Sequence, residues 1–293
     1  MAQGTSDGDL AALLNPRSPS PQEVVVPAVV PTPSPTPLPT PVNDDQATFP
    51  EILGGAMAPT EPSSLAKRYL SPEGDSLRLK FRGVATTAYT AQPISSFGAV
   101  SFGCGMGYVS SNFTSAYVGV GRAMFNMGFS CGQCIRLQCD DESCKHVGKK
   151  VDAQIIDSCG NCPGADISIA NPLFQTLTGR LPSPKPNALI SWEFIDCAPR
   201  LSGSIKMLVK PGGSIYYQAF NFANSIDVIR GVEMNGFLLD HGEDNYWAWN
   251  PRSPINPAGP FRLAILGSAG QVLRVELPVL RSLDLGVQFV RHN

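Results

Sequence analysis

Two aspartates flank a Cys-x-x-Cys pair: Asp157 in Ile155-Ile156-Asp157-Ser158-Cys159-Gly160-Asn161-Cys162, and Asp166 in Gly164-Ala165-Asp166-Ile167-Ser168-Ile169. Two carboxyl groups are the minimum equipment for glycoside hydrolysis, one acting as acid and one as base or nucleophile. The acid must hold its proton near working pH, which burial or a neighbouring charge arranges. Asp166 has apolar neighbours and Asp157 ends an apolar run, so both are candidates. The competing reading is that an aspartate beside a turn caps main-chain amides and does nothing more. Asp152 and Asp196 are read that way, as surface or turn residues.

All eight cysteines lie between Cys104 and Cys197. An even number in one window points to disulfides and an oxidising compartment. Zinc is the rival, because Cys131-x2-Cys134 and Cys159-x2-Cys162 form a paired Cys-x-x-Cys signature. The spacer exceeds the usual ~15–20 residues, and Cys104, Cys139, Cys144 and Cys197 would be left over. The histidines, His146, His241 and His292, are scattered and offer no cluster or dyad. No metal and no cofactor are expected.

These residues need a framework. The chain has 293 residues, a formal charge of −2, 16% charged residues, 28 Gly and 27 Pro. The charge favours neither nucleic acid nor an anionic membrane as partner, and no run reaches the ~18 apolar residues of a membrane span. Residues 1–78 lack hydrophobic periodicity and carry the Pro/Thr/Ser tract Pro31–Pro41, which reads as a disordered linker or stalk. No secretory signal is visible, since Met1–Leu14 has two aspartates, no basic start and too short an apolar piece. Asn112-Phe113-Thr114 is a glycosylation sequon.

From Leu79 onward, short strands alternate with glycines. Strands are expected at 116–120, 134–139, 150–157 and 188–196. Ala165–Ile169 reads as extended, and a short helix is expected from Asn171, with Pro172 at its first position. After Cys197 the strands continue without cysteines, at 204–209, 216–222, 227–234, 246–249, 261–266 and 272–277, a pattern that suggests a β-sandwich. Trp247 and Trp249 share one face and are expected in the core.

At this point the sequence resembles the expansins and expansin-like (loosenin-like) proteins over roughly residues 83–293. Gly83-Val84-Ala85-Thr86-Thr87 resembles their opening strand. Cys104-Gly105, Cys131-Gly132-Gln133-Cys134 through Cys139, and Cys144 resemble their cysteine framework. Ser191-Trp192-Glu193-Phe194-Ile195-Asp196-Cys197 resembles the strand closing their first domain, and Pro260-Phe261-Arg262-Leu263 a late strand of the second. Where plant expansins have His-Phe before the second aspartate, this chain has Gly164-Ala165, which leaves the resemblance to microbial, loosenin-like forms intact and weakens inference from plant activity.

The resemblance implies an all-β chain: a disordered region over 1–78, a six-stranded double-psi β-barrel over 79–198, and an immunoglobulin-like carbohydrate-binding β-sandwich over 199–293. It implies the disulfides Cys104–Cys131, Cys134–Cys197 and Cys139–Cys144, leaving Cys159 and Cys162 to pair with each other or stay free. Asp166 and Asp157 would line a polysaccharide cleft with Thr86 and Tyr89, and Tyr216, Tyr217 and Tyr246 would form an aromatic platform. Within a strand only one of Tyr216 and Tyr217 can face the glycan. The barrel endoglucanases related to expansins carry their base on the first strand, but residues 83–91 contain no Asp or Glu. The implied function is therefore non-hydrolytic binding and loosening of wall polysaccharide (cellulose, xyloglucan or chitin) by a secreted, monomeric protein. The alternatives are a weak glycoside hydrolase or lytic transglycosylase using Asp166, and a barwin- or kiwellin-like defence or effector protein.

Overall fold

The computed structural model describes residues 79–87, 93–96, 101–182 and 186–291. The Pro-rich region 1–78 and Tyr89 lie outside them. Six strands close into a barrel in the order β1-β5-β2-β4-β3-β6. They are β1 (Lys80–Thr87), β2 (Tyr117–Gly121), β3 (Cys134–Cys139), β4 (Lys150–Cys159), β5 (Ile167–Ile169) and β6 (Asn187–Ile195). The pairs β1/β5 and β2/β4 are parallel and the remaining four are antiparallel. This is the double-psi barrel expected from the sequence. A one-turn helix α1 (Arg122–Phe125) and the helix α2 (Asn171–Thr178) pack outside it.

The barrel is filled from every strand: Ala85, Val118, Val120, Ile135, Leu137, Ile155, Ile167, Ile169, Ile190 and Trp192 are all buried. β-branched and aromatic side chains suit a pleated, enclosed surface. Cys104 pairs with Cys131, Cys134 with Cys197, Cys139 with Cys144 and Cys159 with Cys162. Every cysteine of the two Cys-x-x-Cys pairs is thus held in a disulfide.

After Cys197 two antiparallel sheets stack face to face. One runs β10-β9-β13-β14 and the other β11-β12-β8-β7-β15. Their strands are β7 (Lys206–Val209), β8 (Gln218–Ala223), β9 (Ile229–Met234), β10 (Phe237–Leu238), β11 (Asp240–His241), β12 (Trp247–Trp249), β13 (Phe261–Gly267), β14 (Val272–Leu277) and β15 (Leu283–Asp284). Trp247 and Trp249 lie in the core between the sheets with Phe220, Val232, Phe261 and Ile265, as the alternation predicts.

The outer face of the β8 sheet meets the barrel. Asn221, fully buried, donates through Nδ2 to Cys104 O at 2.9 Å and to Asn245 O at 3.0 Å. Asn245 Nδ2 donates to the same Cys104 carbonyl at 3.1 Å. Gly105 has φ +56° and no room for a Cβ, which would stand 2.7 Å from the Tyr246 ring. Glycine tolerates both conditions.

Three local expectations change. Strand β8 starts at Gln218, so Tyr216 and Tyr217 precede it, in a turn closed by Ser214 N to Tyr217 O at 2.7 Å. Helix α2 is capped by Ala170 without a side-chain bond, so Asn171 is already helical and Pro172 follows inside the first turn. Asp152 is more than a surface residue. Its carboxylate accepts from Arg136 Nε at 2.7 Å and Arg200 Nε at 2.6 Å, tying β3 and β4 to the chain beyond Cys197. Burial raises its pKa, but the two guanidinium groups outweigh this and hold it below the usual carboxylate range.

Candidate functional site

The barrel places four residues in one registered row across four strands. Thr86 on β1 pairs with Ser168 on β5, Ser168 with Gly119 on β2, and Gly119 with Asp157 on β4. Paired residues on neighbouring strands point to the same side of a sheet. A register shift makes the last pair possible. Val118 faces Ile155 but Gly119 faces Asp157, so Ile156 is the extra residue of a β-bulge. Bulges re-aim a side chain and recur beside functional sites. Ile155 and Ile156 are both buried here and the carboxylate is turned out of the core.

Asp157 Oδ1 accepts from Gly103 N at 2.6 Å and from its neighbour Ser158 N at 2.8 Å. Gly119 has no side chain and is itself buried. Ser168 is only 3% exposed and its Oγ has no partner among the described residues. A buried hydroxyl without a partner is costly, and a ligand hydroxyl or water would satisfy it. The sequence reading missed Ser168. The alternation Asp166-x-Ser168 was its only signal. Thr86, at the end of the row, is exposed.

Asp166 precedes β5 and is held from several directions. Its Oδ1 accepts from Val84 N at 2.8 Å, and its own N–H donates to Pro163 O at 2.9 Å. Buried Trp192 donates from Nε1 to Ala165 O at 2.8 Å, fixing the adjacent peptide. Gly83 allows this loop to press against β1, because a Cβ there would meet Ala165 O at 2.5 Å. The Cys159–Cys162 disulfide staples the segment joining the two aspartates. Asp166 Oδ2 has no protein partner among the described residues. In flat-sheet terms, two strand spacings and two residue steps separate the aspartates, roughly 12 Å between Cα atoms.

A chain of contacts leads from this row toward the sandwich. Gly103 bonds Asp157, and two residues on, Gly105 O accepts from Tyr246 Oη at 3.3 Å. Lys210 Nζ lies 4.5 Å from the centre of the Tyr246 ring and donates to Asp244 Oδ2 at 2.6 Å. The Asp244 bond is the largest influence raising the Lys210 pKa; burial opposes it, and Tyr217 and Tyr246 add to it.

Tyr216 and Tyr217 are 56% and 38% exposed. Both face solvent because a turn does not impose strand alternation, contrary to the expectation that one packs inward. Tyr246 corrects the expectation in the other direction. It is 9% exposed, wedged between Gly105 and Lys210, and belongs to the junction rather than to an open platform.

No family model matches the chain. It is 26% identical over 179 residues to "Expansin-like protein 5" of Dictyostelium discoideum, covering 58% of this chain and 71% of that protein. The crystal structure of apo expansin from Clavibacter michiganensis superposes with a TM-score of 0.59 at 18% identity, covering 73% of this chain and all of that one. An aspartate-to-asparagine variant of the same expansin, in complex with cellohexaose, superposes with a TM-score of 0.58 at 18% identity and the same coverage. In sequence the chain is similar to an expansin-like protein, and in fold it is similar to a bacterial expansin.

Proposed function

We propose that the chain is a non-hydrolytic, polysaccharide-binding protein of the expansin type, acting on cell-wall glycans outside the cell. Residues 79–198 form its barrel domain and 199–293 its carbohydrate-binding sandwich. The observation that carries this reading is the row Thr86–Ser168–Gly119–Asp157 with Asp166 pinned beside it. It is a registered line of hydroxyl and carboxylate groups on a rigid barrel, exposed at Thr86, half-buried at Asp157 and covered at Ser168 and Gly119. Carboxylate and hydroxyl oxygens accept from sugar hydroxyls, and Thr86 and Ser168 also donate. Tyr216 and Tyr217 add flat apolar faces against which sugar C–H groups stack.

Hydrolysis needs a second group to activate water. Residues 83–91 supply no carboxylate, and both aspartates have Oδ1 engaged by main-chain amides. The site is thus equipped to hold and disturb packed chains rather than to cut them. The bound relative supports an unbranched β-glucan as ligand.

The test is co-sedimentation with insoluble cellulose, chitin and xyloglucan-coated cellulose, with reducing ends counted in the same tubes. Retention on one or more of these with reducing ends at background is expected. Release at the rate of an endoglucanase would reject the proposal.

A further inference from the structure

A second polar concavity lies on another wall of the barrel, away from Gly119 and Ser168. Two registered rows build it. In the first, Lys80 on β1 pairs with Glu193 on β6, Glu193 with Arg136 on β3, and Arg136 with Asp152 on β4. In the second, Arg82 pairs with Ser191, Ser191 with Gln138, and Gln138 with Lys150. Between the rows is a cavity of about 150 Å³ lined by Lys80, Arg136, Gln138, Lys150, Ser191 and Glu193.

Ser191 lies at its base. It is 0% exposed, and its Oγ has no hydrogen-bond partner among the described residues. Its cross-strand neighbours on the same face are the long side chains of Arg82 and Gln138. The charge of the lining is unlike that of the whole chain. Lys80, Arg136 and Lys150 face one carboxylate, Glu193, on a chain of net charge −2. Glu193 sits between Lys80 and Arg136, which offset it. Asp152 is matched by both Arg136 and Arg200. Among the described residues, Lys80 and Lys150 make no ion pair. A hydroxyl donor without an acceptor among the described residues, in a lining whose cations outnumber its one carboxylate, is the complement of an oxyanion.

We propose that this concavity is an oxyanion site that takes the carboxylate of an acidic, uronate-bearing polysaccharide. The cavity corresponds to about five waters at ~30 Å³ each, so it admits the charged group while the sugar ring stays outside. Ser191 Oγ donates to one carboxylate oxygen, and Lys80 and Lys150 supply the charge. The site shares no residue with the row that carries Asp157, so it stands or falls separately from the proposed glucan site.

The experiment titrates the full chain with polygalacturonate, galacturonic acid, sodium sulfate and cellohexaose, at low ionic strength and at ~0.15 M salt. The variants are Lys80→Gln/Lys150→Gln, both exposed positions, and Ser191→Ala. Polygalacturonate should bind the parent at low salt and weaken with salt. Its affinity should fall about tenfold in the double-lysine variant and about threefold in Ser191→Ala, with cellohexaose binding unchanged in both. Competition by galacturonic acid or sulfate for the same site is also expected. Polygalacturonate binding unaltered in both variants would overturn the proposal, as would binding of free sulfate with none of the polymer. A Ser191→Ala variant that melts higher and binds polygalacturonate like the parent would overturn it too, because the hydroxyl would then be a buried orphan with no ligand.

Discussion

Replacing Tyr246 separates the two roles an aromatic can have in this protein. The ring is 9% exposed, touches Gly105 and is capped by Lys210. Truncating a buried aromatic to alanine costs roughly 3–5 kcal/mol. The lower end applies here, because the flexible Lys210 can settle into part of the space. About 3 kcal/mol, at ~2–4 °C per kcal/mol for a unit of this size, lowers the melting temperature by about 6–12 °C. Tyr246→Phe keeps the ring and loses only a long hydroxyl bond of 3.3 Å to Gly105 O, for about 0.5 kcal/mol. In contrast, Tyr216→Ala and Tyr217→Ala remove exposed rings, so melting should hold while affinity for insoluble glucan drops about tenfold for the pair. Differential scanning calorimetry and co-sedimentation on the same samples read both quantities. A Tyr246→Ala protein that melts like the parent but no longer binds glucan would refute the junction argument and restore Tyr246 to the platform.

Trp192→Phe retains the apolar ring but loses the donor to Ala165 O, so the loop bearing Asp166 loosens; glucan affinity should fall several-fold for a stability loss of about 1 kcal/mol, read by titration and urea melts. Replacing Cys159 and Cys162 by serine opens a very short loop, worth about 2 kcal/mol by loop closure; the variant should melt lower and bind glucan more weakly, and treating the parent with a thiol reductant should reproduce it. His241 stacks 4.3 Å from Phe129 and 4.4 Å from Trp247. Burial lowers its pKa, against the Asn245 bond and Asp244. The folded state therefore resists protonation. His241 contributes stability that is complete above the unfolded value of ~6.5 and is lost as pH falls through its lower folded value. The drop in melting temperature from neutral to mildly acidic pH should shrink in His241→Phe.

The sandwich was legible because its strands repeat a short-range pattern, and the barrel because its strands and cysteines resemble those of the expansins. Cys134–Cys139 alternates and spans β3 as read, and Val272–Leu277 is β14 to the residue. What the sequence hid was set by contacts distant along the chain. The bulge at Ile156 depends on the pairing of β4 with β2, and nothing local in Ile155-Ile156-Asp157 announces it. Tyr246 was grouped with Tyr216 and Tyr217 because the family resemblance places all three on one aromatic platform. Its burial comes from Gly105, far earlier in the chain. Asn171 had the residue type of a helix cap, yet the chain geometry after β5 gave the cap to Ala170. Asp152 resembled a solvent-facing strand residue until Arg200, beyond the last cysteine, closed over it.

The central claim is a single binding surface running from the two aspartates to the paired tyrosines. Amide chemical shifts of isotope-labelled protein, followed during titration with cellohexaose, test it most directly. The amides of Val84, Gly103 and Ser158, which bond the two carboxylates, should move together with those of Tyr216 and Tyr217 and fit one dissociation constant. Shifts confined to the opposite sheet, around Glu233, Arg262 and Arg274, with those five amides still, would contradict it.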